Sequence, residues 1–498
     1  MQEINAEKLD IEQAIAQLIV PRTSGFLLDR QRLYPHWELD SRAVDVALTY
    51  GVGGFLIFGG SLGDTTLKIQ DLQAASPFPL LICADLEAGC GQHVLGASKL
   101  PTARAIGATG DRDVAFRAGA LTAREALAIG INWILAPCLD VNSNPKNPVI
   151  GLRAFHETPE VVATMGTAFA EGIQSVGALA CGKHFPGHGD VEVDSHLTMP
   201  TLTRTRNQLE AEDWLPFKRA IQQGIGSIMS GHLQVPCLDL DFPATLSEAI
   251  LTGLLRESWG FKGLIVSDAL NMGAIYQWPD LEVRALQAGI DMLLMAQDVT
   301  GSVARILEAV RRGALSEARI YASVARIFAA KQRLVPNQKP LQQLESLGDR
   351  SIGETIAQKS VVVVRDQAGL LPLDSQKSRL DVAIVDTLQD LLNFATPVYV
   401  LEASHDQTYL QFLLAEASRR DQIVVHILTP LRPFRGTSAV HGIGTQFLEQ
   451  VNGKHTVLIS YTNPYLGTGF PEISTVINTY DTAPVSQKAA SAYLNAAS

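Results

Sequence analysis

Apolar runs alternate with helical patterns along most of this chain. The first eight runs lie at residues 18–20, 53–59, 80–86, 132–141, 178–184, 226–233, 263–270 and 291–296. Near-continuous apolar strands separated by helices are typical of parallel sheets whose two faces are both covered. Eight strand–helix units predict an α/β fold of the (β/α)₈ TIM-barrel type. A doubly wound open sheet has the same alternation and is the alternative.

A second, smaller unit follows the predicted barrel. Residues 336–350 are polar and interrupted by proline, which predicts a linker between a barrel at 1–335 and a smaller domain at 351–498. Strand-like runs then resume as SVVVVRD, DVAIVD, PVYVLEA, QIVVHILTP and TVLISYT. Helical or mixed stretches separate these runs, so the smaller domain is predicted to be an α/β sandwich with a largely parallel sheet.

Composition argues against several classes of function. The net charge of −11 at pH 7 disfavours binding to a nucleic-acid backbone. The five cysteines have no C-x-x-C spacing and no metal-ligand pattern is evident, so we expect reduced thiols and neither metal nor cofactor. The N-terminal segment lacks the regions of a signal peptide, and no apolar run is long enough to span a bilayer. We therefore expect a cytoplasmic protein with a small ligand and no membrane or nucleic-acid partner.

Ionisable side chains stand where several predicted strands end. The residues in such positions are Asp85, Asp140, Lys183, His184, His232 and Asp268. Any one of them alone could cap a helix or stabilise a loop. Barrel enzymes build their sites from this face, so the recurrence of ionisable residues at equivalent places predicts an active site there.

The densest group of such residues lies around the end of the fifth predicted strand. Residues 178–200 read ALACGKHFPGHGDVEVDSHLTMP. Asp194 and His196 are two residues apart, so they point to the same side where the backbone is extended. A carboxylate beside an imidazole fixes its tautomer and stabilises its protonated form. We interpret His196 as a proton donor and acceptor, with a chance pairing in a solvated loop as the alternative.

A second motif occupies residues 243–275, which read PATLSEAILTGLLRESWGFKGLIVSDALNMGAI. Ser247 is predicted to cap a helix that Gly260 ends, and the following strand leads to Asp268. With KHFPGHG and DSH in the loop above, this segment resembles glycoside hydrolase family 3, in its β-N-acetylglucosaminidase branch. The resemblance is strong from about residue 10 to residue 335 and weak beyond it.

The resemblance implies a role for each residue of the predicted site. Asp268 matches the nucleophile of the family, and His196 with Asp194 matches its acid/base pair. The positions that bind sugar hydroxyls and the acetamide group correspond to Asp85, Arg153, Lys183 and His184. The chain departs from the usual D-Q-E-G-G-R-V, since residues 85–91 read DLEAGCG. Leu86 and Cys90 replace Gln and Arg, so the resemblance does not define the shape of the sugar pocket.

These matches predict a retaining exo-β-N-acetylglucosaminidase that acts on a small carbohydrate, such as a muropeptide fragment in cell-wall recycling. Retaining glycosidases combine a nucleophile with a separate acid/base. A phosphorylase or β-glucosidase of the same family is the alternative, and a catalytically silent sugar-binding protein is a further one. Because both catalytic groups lie within residues 1–335, the second domain is expected to be dispensable for bond cleavage.

Overall fold

The computed structural model describes residues 9–334, 351–386, 398–429, 440 and 442–495. The predicted linker at residues 336–350 lies outside these ranges. The described residues form two parts, and each is built around its own β-sheet.

A parallel barrel forms the first part. Its strands are β1 (Ile19–Val20), β2 (Arg22–Ser24), β3 (Gly54–Phe58), β4 (Leu81–Ala84), β5 (Trp133–Ile134), β6 (Leu179–Phe185), β7 (Ser227–Ser230), β8 (Leu264–Ser267) and β9 (Leu293–Leu294). Strands β2 to β8 pair in sequence order, and β9 pairs with β1. Val266 bridges Met292, which joins β8 to β9, and only Pro21 separates β1 from β2. Taking β1 and β2 as one strand, the described residues close an eight-stranded barrel, which confirms the predicted fold and excludes the open sheet.

Each predicted apolar run contains a strand, but the fourth is much shorter than its run. Only Trp133 and Ile134 of residues 132–141 are strand. Beyond them, the N–H of Lys183 bonds to the carbonyl of Pro137, which itself has no N–H to return. Hydrogen bonds to β6 therefore continue beyond Ile134, but they do not form the regular parallel ladder that the apolar run predicted.

Helices surround the barrel and connect its strands. They span Ile11–Ala16, Ser41–Tyr50, Leu62–Ala75, Ala103–Ala108, Arg112–Ala128, Pro159–Ser175, Arg206–Ala211, Trp214–Gln222, Ala249–Ser258, Leu281–Ala288, Val299–Arg311 and Glu317–Arg333. The first is capped by Asp10, whose carboxylate accepts the N–H of Gln13. As predicted, Ser247 caps its helix through the N–H of Ile250, and Gly260 follows that helix with φ of 68°.

One apolar core lies between the barrel strands and these helices. Helices Arg112–Ala128 and Pro159–Ser175 approach each other most closely at two glycines. A Cβ on Gly119 would lie 2.1 Å from the carbonyl oxygen of Phe169, and one on Gly172 would lie 2.0 Å from that of Phe116. These two helices precede and follow β5 in the sequence. Their close packing therefore fixes the position of β5 beside β6, the strand that leads to the predicted site. Across the described ranges, every helix falls short of the length and apolarity required to traverse a lipid bilayer.

The second part is an α/β sandwich. Its strands are β10 (Val362–Asp366), β11 (Arg379–Val385), β12 (Tyr399–Glu402), β13 (Gln422–Ile427), β14 (Thr456–Ser460) and β15 (Thr475–Asn478), in the order β10-β15-β14-β13-β11-β12. All pairs are parallel except β10 with β15. Helices Gln407–Ala417, Ile443–Gln450 and Pro484–Asn495 accompany the sheet, which has an apolar cluster on each face. Helix Ser351–Lys359 instead buries Ile352 and Ile356 in the apolar core of the barrel. The predicted sandwich is confirmed, but β15 was not predicted.

The two parts meet beside the predicted site. The phenol of Tyr465 accepts a hydrogen bond from the Nδ2 of Asn142 at 3.1 Å, and the hydroxyl of Thr102 donates to the carbonyl of Tyr480 at 2.6 Å. Asn142 in turn accepts the N–H of Gly151, two residues before Arg153. The second part therefore supports a loop that leads directly to a predicted sugar-binding residue.

Candidate active site

A cavity of about 500 Å³ opens at the carboxyl ends of the barrel strands, the face that the sequence predicted. Six of the predicted site residues line it, namely Asp85, Arg153, Lys183, His184, His196 and Asp268. The seventh, Asp194, lies against His196. The fold therefore brings together side chains from four different strand ends that are up to 183 positions apart in sequence.

Asp268 directly follows β8 and is held as an ionised carboxylate. Its Oδ1 accepts the N–H of Ala269 at 2.7 Å. Burial alone would raise the pKa of Asp268, but the nearby imidazoles of His184 and His232 and the Ala269 N–H lower it to about 2. The carboxylate is thus charged at neutral pH, as a nucleophile must be.

His196 and Asp194 form a hydrogen-bonded pair. The Oδ1 of Asp194 accepts both the Nδ1–H of His196 at 2.7 Å and its backbone N–H at 2.8 Å. Asp194 is only 3% exposed, whereas the imidazole keeps 28% of its surface exposed. Because Nδ1 donates to the carboxylate, Nε2 is the ring nitrogen that can exchange a proton with a ligand.

The segments that carry Asp268 and His196 are bonded to each other. The N–H of Gly273 donates to the carbonyl of His196 and the N–H of Ala274 to the carbonyl of Ser195, both at 3.2 Å. These bonds fix the imidazole relative to the segment that follows Asp268.

Charged side chains form one wall of the cavity. Glu87 accepts Lys183 at 2.6 Å and two N–H groups of Arg153 at 2.9 Å each. The ammonium of Lys183 also donates to Asp85 at 2.6 Å. Burial opposes the charge on Glu87, but Arg153 and Lys183 outweigh it and hold the pKa of this carboxyl far below its usual range. Charged, directional donors and acceptors of this kind suit the recognition of sugar hydroxyls.

His184 is oriented by Asp140, which is fully buried. Its Nδ1 lies 2.7 Å from Asp140 Oδ2, while its Nε2 lies 3.2 Å from a guanidinium nitrogen of Arg153. Asp140 on one side of the ring and Arg153 on the other therefore fix the orientation of the imidazole. Asp140 also accepts the backbone N–H groups of His184 and His188.

Cys138, Asp140 and His184 bring three possible metal ligands together. The thiol of Cys138 donates to Asp140 at 3.1 Å, and burial raises its pKa well above the ordinary value for cysteine. A protonated thiol and an Asp140 already occupied by N–H donors fit a hydrogen-bond network better than a metal centre.

Several lining or supporting residues were not among the predicted site residues. They are Arg22, Tyr34, Trp37, Phe58, Glu87, His93, Asp140 and His232. Asp140 and His232 were noted only as strand-end residues. The Nε2 of His232 lies 3.1 Å from the carbonyl oxygen of Ala269 and so supports the residue next to Asp268. Tyr34 and Trp37 lie in the loop after β2, where no pattern in the sequence signals proximity to the site.

Residues 10–330 match the family model described as glycosyl hydrolase family 3 N-terminal domain. A β-N-acetylglucosaminidase/β-glucosidase of Cellulomonas fimi is 28% identical over 481 residues, 87% of this chain and 84% of that protein. A β-hexosaminidase of Thioalkalivibrio sulfidiphilus (strain HL-EbGR7) is 38% identical over 271 residues, 52% of this chain and 77% of that protein. The structure of a family 3 β-N-acetylglucosaminidase from Paenibacillus sp. str. FPU-7 is similar with a TM-score of 0.84 and 28% identity, covering 98% of this chain and 97% of that one. The chain therefore belongs to glycoside hydrolase family 3, as its motifs around His196 and Asp268 predicted.

Proposed function

We propose that the protein is a retaining exo-β-N-acetylglucosaminidase that removes a terminal β-linked N-acetylhexosamine. The observation that carries this proposal is an ionised Asp268 in the same cavity as the Asp194–His196 pair. A retaining glycosidase needs these two functions, a nucleophile and a separate acid/base. The names of the relatives from Cellulomonas fimi and Paenibacillus sp. support the acetamido sugar.

In the first proposed step, a carboxylate oxygen of Asp268 attacks the anomeric carbon. The bond from that carbon to the leaving oxygen breaks, and the oxygen takes its electron pair together with the proton from His196 Nε2. In the second step, His196 takes a proton from water while the water oxygen attacks the anomeric carbon and releases Asp268. Asp194 stabilises the imidazolium whenever His196 is protonated.

The terminal sugar is proposed to bind against the charged wall. Asp85 and Lys183 suit the hydroxyls far from the scissile bond, while Arg153 and His184 suit the remaining hydroxyls and the acetamide. The side chains of Lys183 and His184 are nearly fully buried, which supports a pocket that closes around one terminal sugar. That geometry favours exo-acting cleavage.

A cytoplasmic enzyme acting on muropeptide fragments is the biological setting that we propose. Five free cysteines, four of them buried, support a reducing compartment. The second domain is proposed to support the barrel rather than to act in chemistry, because the catalytic candidates all come from barrel strand ends. Its contact through Tyr465 with Asn142 suits that supporting role.

The test compares an aryl β-N-acetylglucosaminide with the matched aryl β-glucoside. We expect faster turnover of the acetamido substrate, and loss of several orders of magnitude in Asp268→Asn, which is nearly isosteric and should remain folded. Preference for the glucoside would contradict the proposed specificity. Absence of turnover of both substrates by folded protein would favour the silent sugar-binding alternative.

A phosphorylase is the second candidate, since a neutral imidazole repels an anionic acceptor less than a carboxylate acid/base would. The same aryl N-acetylglucosaminide, turned over in phosphate buffer, separates the two activities. A hydrolase releases free N-acetylglucosamine, whereas a phosphorylase releases the sugar 1-phosphate. Predominance of the sugar phosphate would replace the hydrolase proposal.

A further inference from the structure

His188 lines the cavity but has no role in the proposed reaction. It lies in the loop after β6 and is only 2% exposed. Its backbone N–H donates to Asp140 at 2.7 Å, and its carbonyl accepts the side-chain amide of Asn147 at 2.8 Å. The same amide donates to the carbonyl of Gly189 at 3.1 Å. The main chain at this position is therefore fixed to the loop after β5.

Gly189 shows how closely these two loops pack. A Cβ at this position would lie 1.7 Å from the carbonyl oxygen of Val141, so the approach requires glycine. The loop after β6 is thus held against the loop after β5 at the level of the backbone. It provides a fixed base from which the imidazole of His188 can orient another segment.

The imidazole of His188 has one hydrogen-bond partner among the residues that the structure describes. Its Nε2 lies 3.0 Å from the hydroxyl oxygen of Ser195, whereas its Nδ1 is buried and has no partner in those ranges. Burial lowers the pKa of His188 to about 4, so the ring is neutral at pH 7. The contact is therefore a buried hydrogen bond between neutral groups, and breaking it would leave both side chains unsatisfied.

Ser195 lies between the two members of the proposed acid/base pair, Asp194 and His196. It is only 2% exposed, whereas Val193 and Leu197 are 42% and 49% exposed. The segment around the pair thus lies largely at the surface, and the side chain of Ser195 points inward to the cavity wall. A bond to this side chain acts directly on the residue next to the imidazole of His196.

We propose that His188 and Ser195 are positioning residues, which hold the Nε2 of His196 at the leaving oxygen of the substrate. This inference rests on the proposed glycosidase function. Backbone bonds from the segment after Asp268 already attach the acid/base segment on one side, and the bond between His188 and Ser195 attaches it to the loop after β6. Proton transfer requires the two heavy atoms to lie within hydrogen-bond reach, so a small displacement of the imidazole slows it.

The test compares two aryl β-N-acetylglucosaminides. The 2,4-dinitrophenyl glycoside leaves without a proton, whereas the phenyl glycoside needs one from His196. In Ser195→Ala we expect the ratio of kcat/KM, dinitrophenyl over phenyl, to rise about five-fold, the effect of losing one neutral hydrogen bond. Thr198→Ala is the matched control, since it removes a hydroxyl from an exposed position of the same segment, and its ratio should equal that of the wild type.

A double-mutant cycle tests whether the two residues act through one bond. His188→Phe keeps a ring but removes both nitrogens, and it should raise the ratio about as much as Ser195→Ala. The double variant should then show no larger ratio than either single variant. A ratio that multiplies in the double variant would mean that the residues act independently, which would overturn the proposal.

A wild-type ratio in Ser195→Ala, with native circular dichroism, would also overturn the proposal, even if both substrates were slowed equally. Ser195→Ala decides alone if His188→Phe does not fold. His196→Ala separates this inference from the proposed function. A raised ratio in His196→Ala beside an unchanged one in Ser195→Ala refutes only the positioning role, whereas an unchanged ratio in His196→Ala refutes the acid/base assignment and the positioning role together.

Discussion

Replacing Glu87 with glutamine should weaken both the fold and the sugar site. Glu87 is 9% exposed and accepts three charged hydrogen bonds, one from Lys183 and two from Arg153. Glutamine keeps one acceptor oxygen, but its amide nitrogen would face a guanidinium donor. Two buried cations would then share less negative charge, and Arg153 would lose its two-point orientation.

The expected magnitude follows from the burial of this cluster. Breaking a buried ion pair costs about 3–5 kcal/mol, and we expect about 3 kcal/mol because Asp85 still pairs with Lys183. The entropy of unfolding grows with chain length, so for a barrel of this size the fall in Tm is about 4 °C. Misorientation of Arg153 should raise KM at least about ten-fold, the loss expected from one charged hydrogen bond.

The dependence on pH provides a second signature of the same cluster. The folded state depresses the pKa of Glu87, so its ionised form stabilises the protein above the usual glutamate pKa. That stabilisation is lost as the pH falls below about 5, towards the depressed value. The difference in Tm between wild type and Glu87→Gln should therefore be greatest at neutral pH and shrink on acidification.

Thermal melts at pH 7 and pH 4, with steady-state kinetics on an aryl N-acetylglucosaminide, measure these effects. Glu160→Gln is the control, since it removes the same charge from an exposed position at the start of helix Pro159–Ser175. A Glu87→Gln protein with the Tm and the KM of the wild type would refute the view that Glu87 organises the charged wall.

Three further predictions concern other parts of the molecule. His196→Ala should slow substrates with poor leaving groups far more than activated aryl glycosides, and Asp194→Asn should do the same more weakly; equal slowing of both substrate types would assign His196 to positioning. Tyr465→Phe removes a hydrogen bond to Asn142 and should raise KM a few-fold with kcat nearly unchanged, whereas an unaltered KM would separate the second domain from sugar binding. Burial raises the pKa of Asp213 to about 7, so the folded state retains a proton that the unfolded chain loses between about pH 4 and 7, and stability should fall as the pH rises through that window. Asp213→Asn should abolish this slope in thermal melts, and an unchanged slope would assign it to other groups.

The architecture could be predicted from the sequence because runs of apolar residues mark the strands that are buried on both faces. Each of the eight barrel runs contains a strand, and the capping of helix Ala249–Ser258 by Ser247 was also predicted. Strand lengths were less predictable, since the run that contains Trp133 leaves regular pairing after two residues. Strand β15 was missed because Thr475–Asn478 is a four-residue element whose pairing with β10 and β14 is visible only in three dimensions.

The site was predictable where residues lie at the ends of strands. Asp268 directly follows β8, Lys183 and His184 lie at the end of β6, and the fold brings the three to one cavity. Glu87 was visible in its motif, but its pairing with Arg153 joins residues 66 positions apart and could not be read from spacing. Trp37 lies on a loop whose path over the barrel mouth depends on contacts with a residue 260 positions away.

The proposed mechanism depends most on Asp268 as the nucleophile. Incubation with a 5-fluoro derivative of N-acetylglucosaminyl fluoride should slow breakdown of the glycosyl-enzyme and allow it to accumulate. Peptide mapping by mass spectrometry should then find the sugar on the peptide that contains Asp268, and Asp268→Asn protein should remain unlabelled. A sugar attached to any other residue, or no label while the enzyme turns over, would contradict the mechanism.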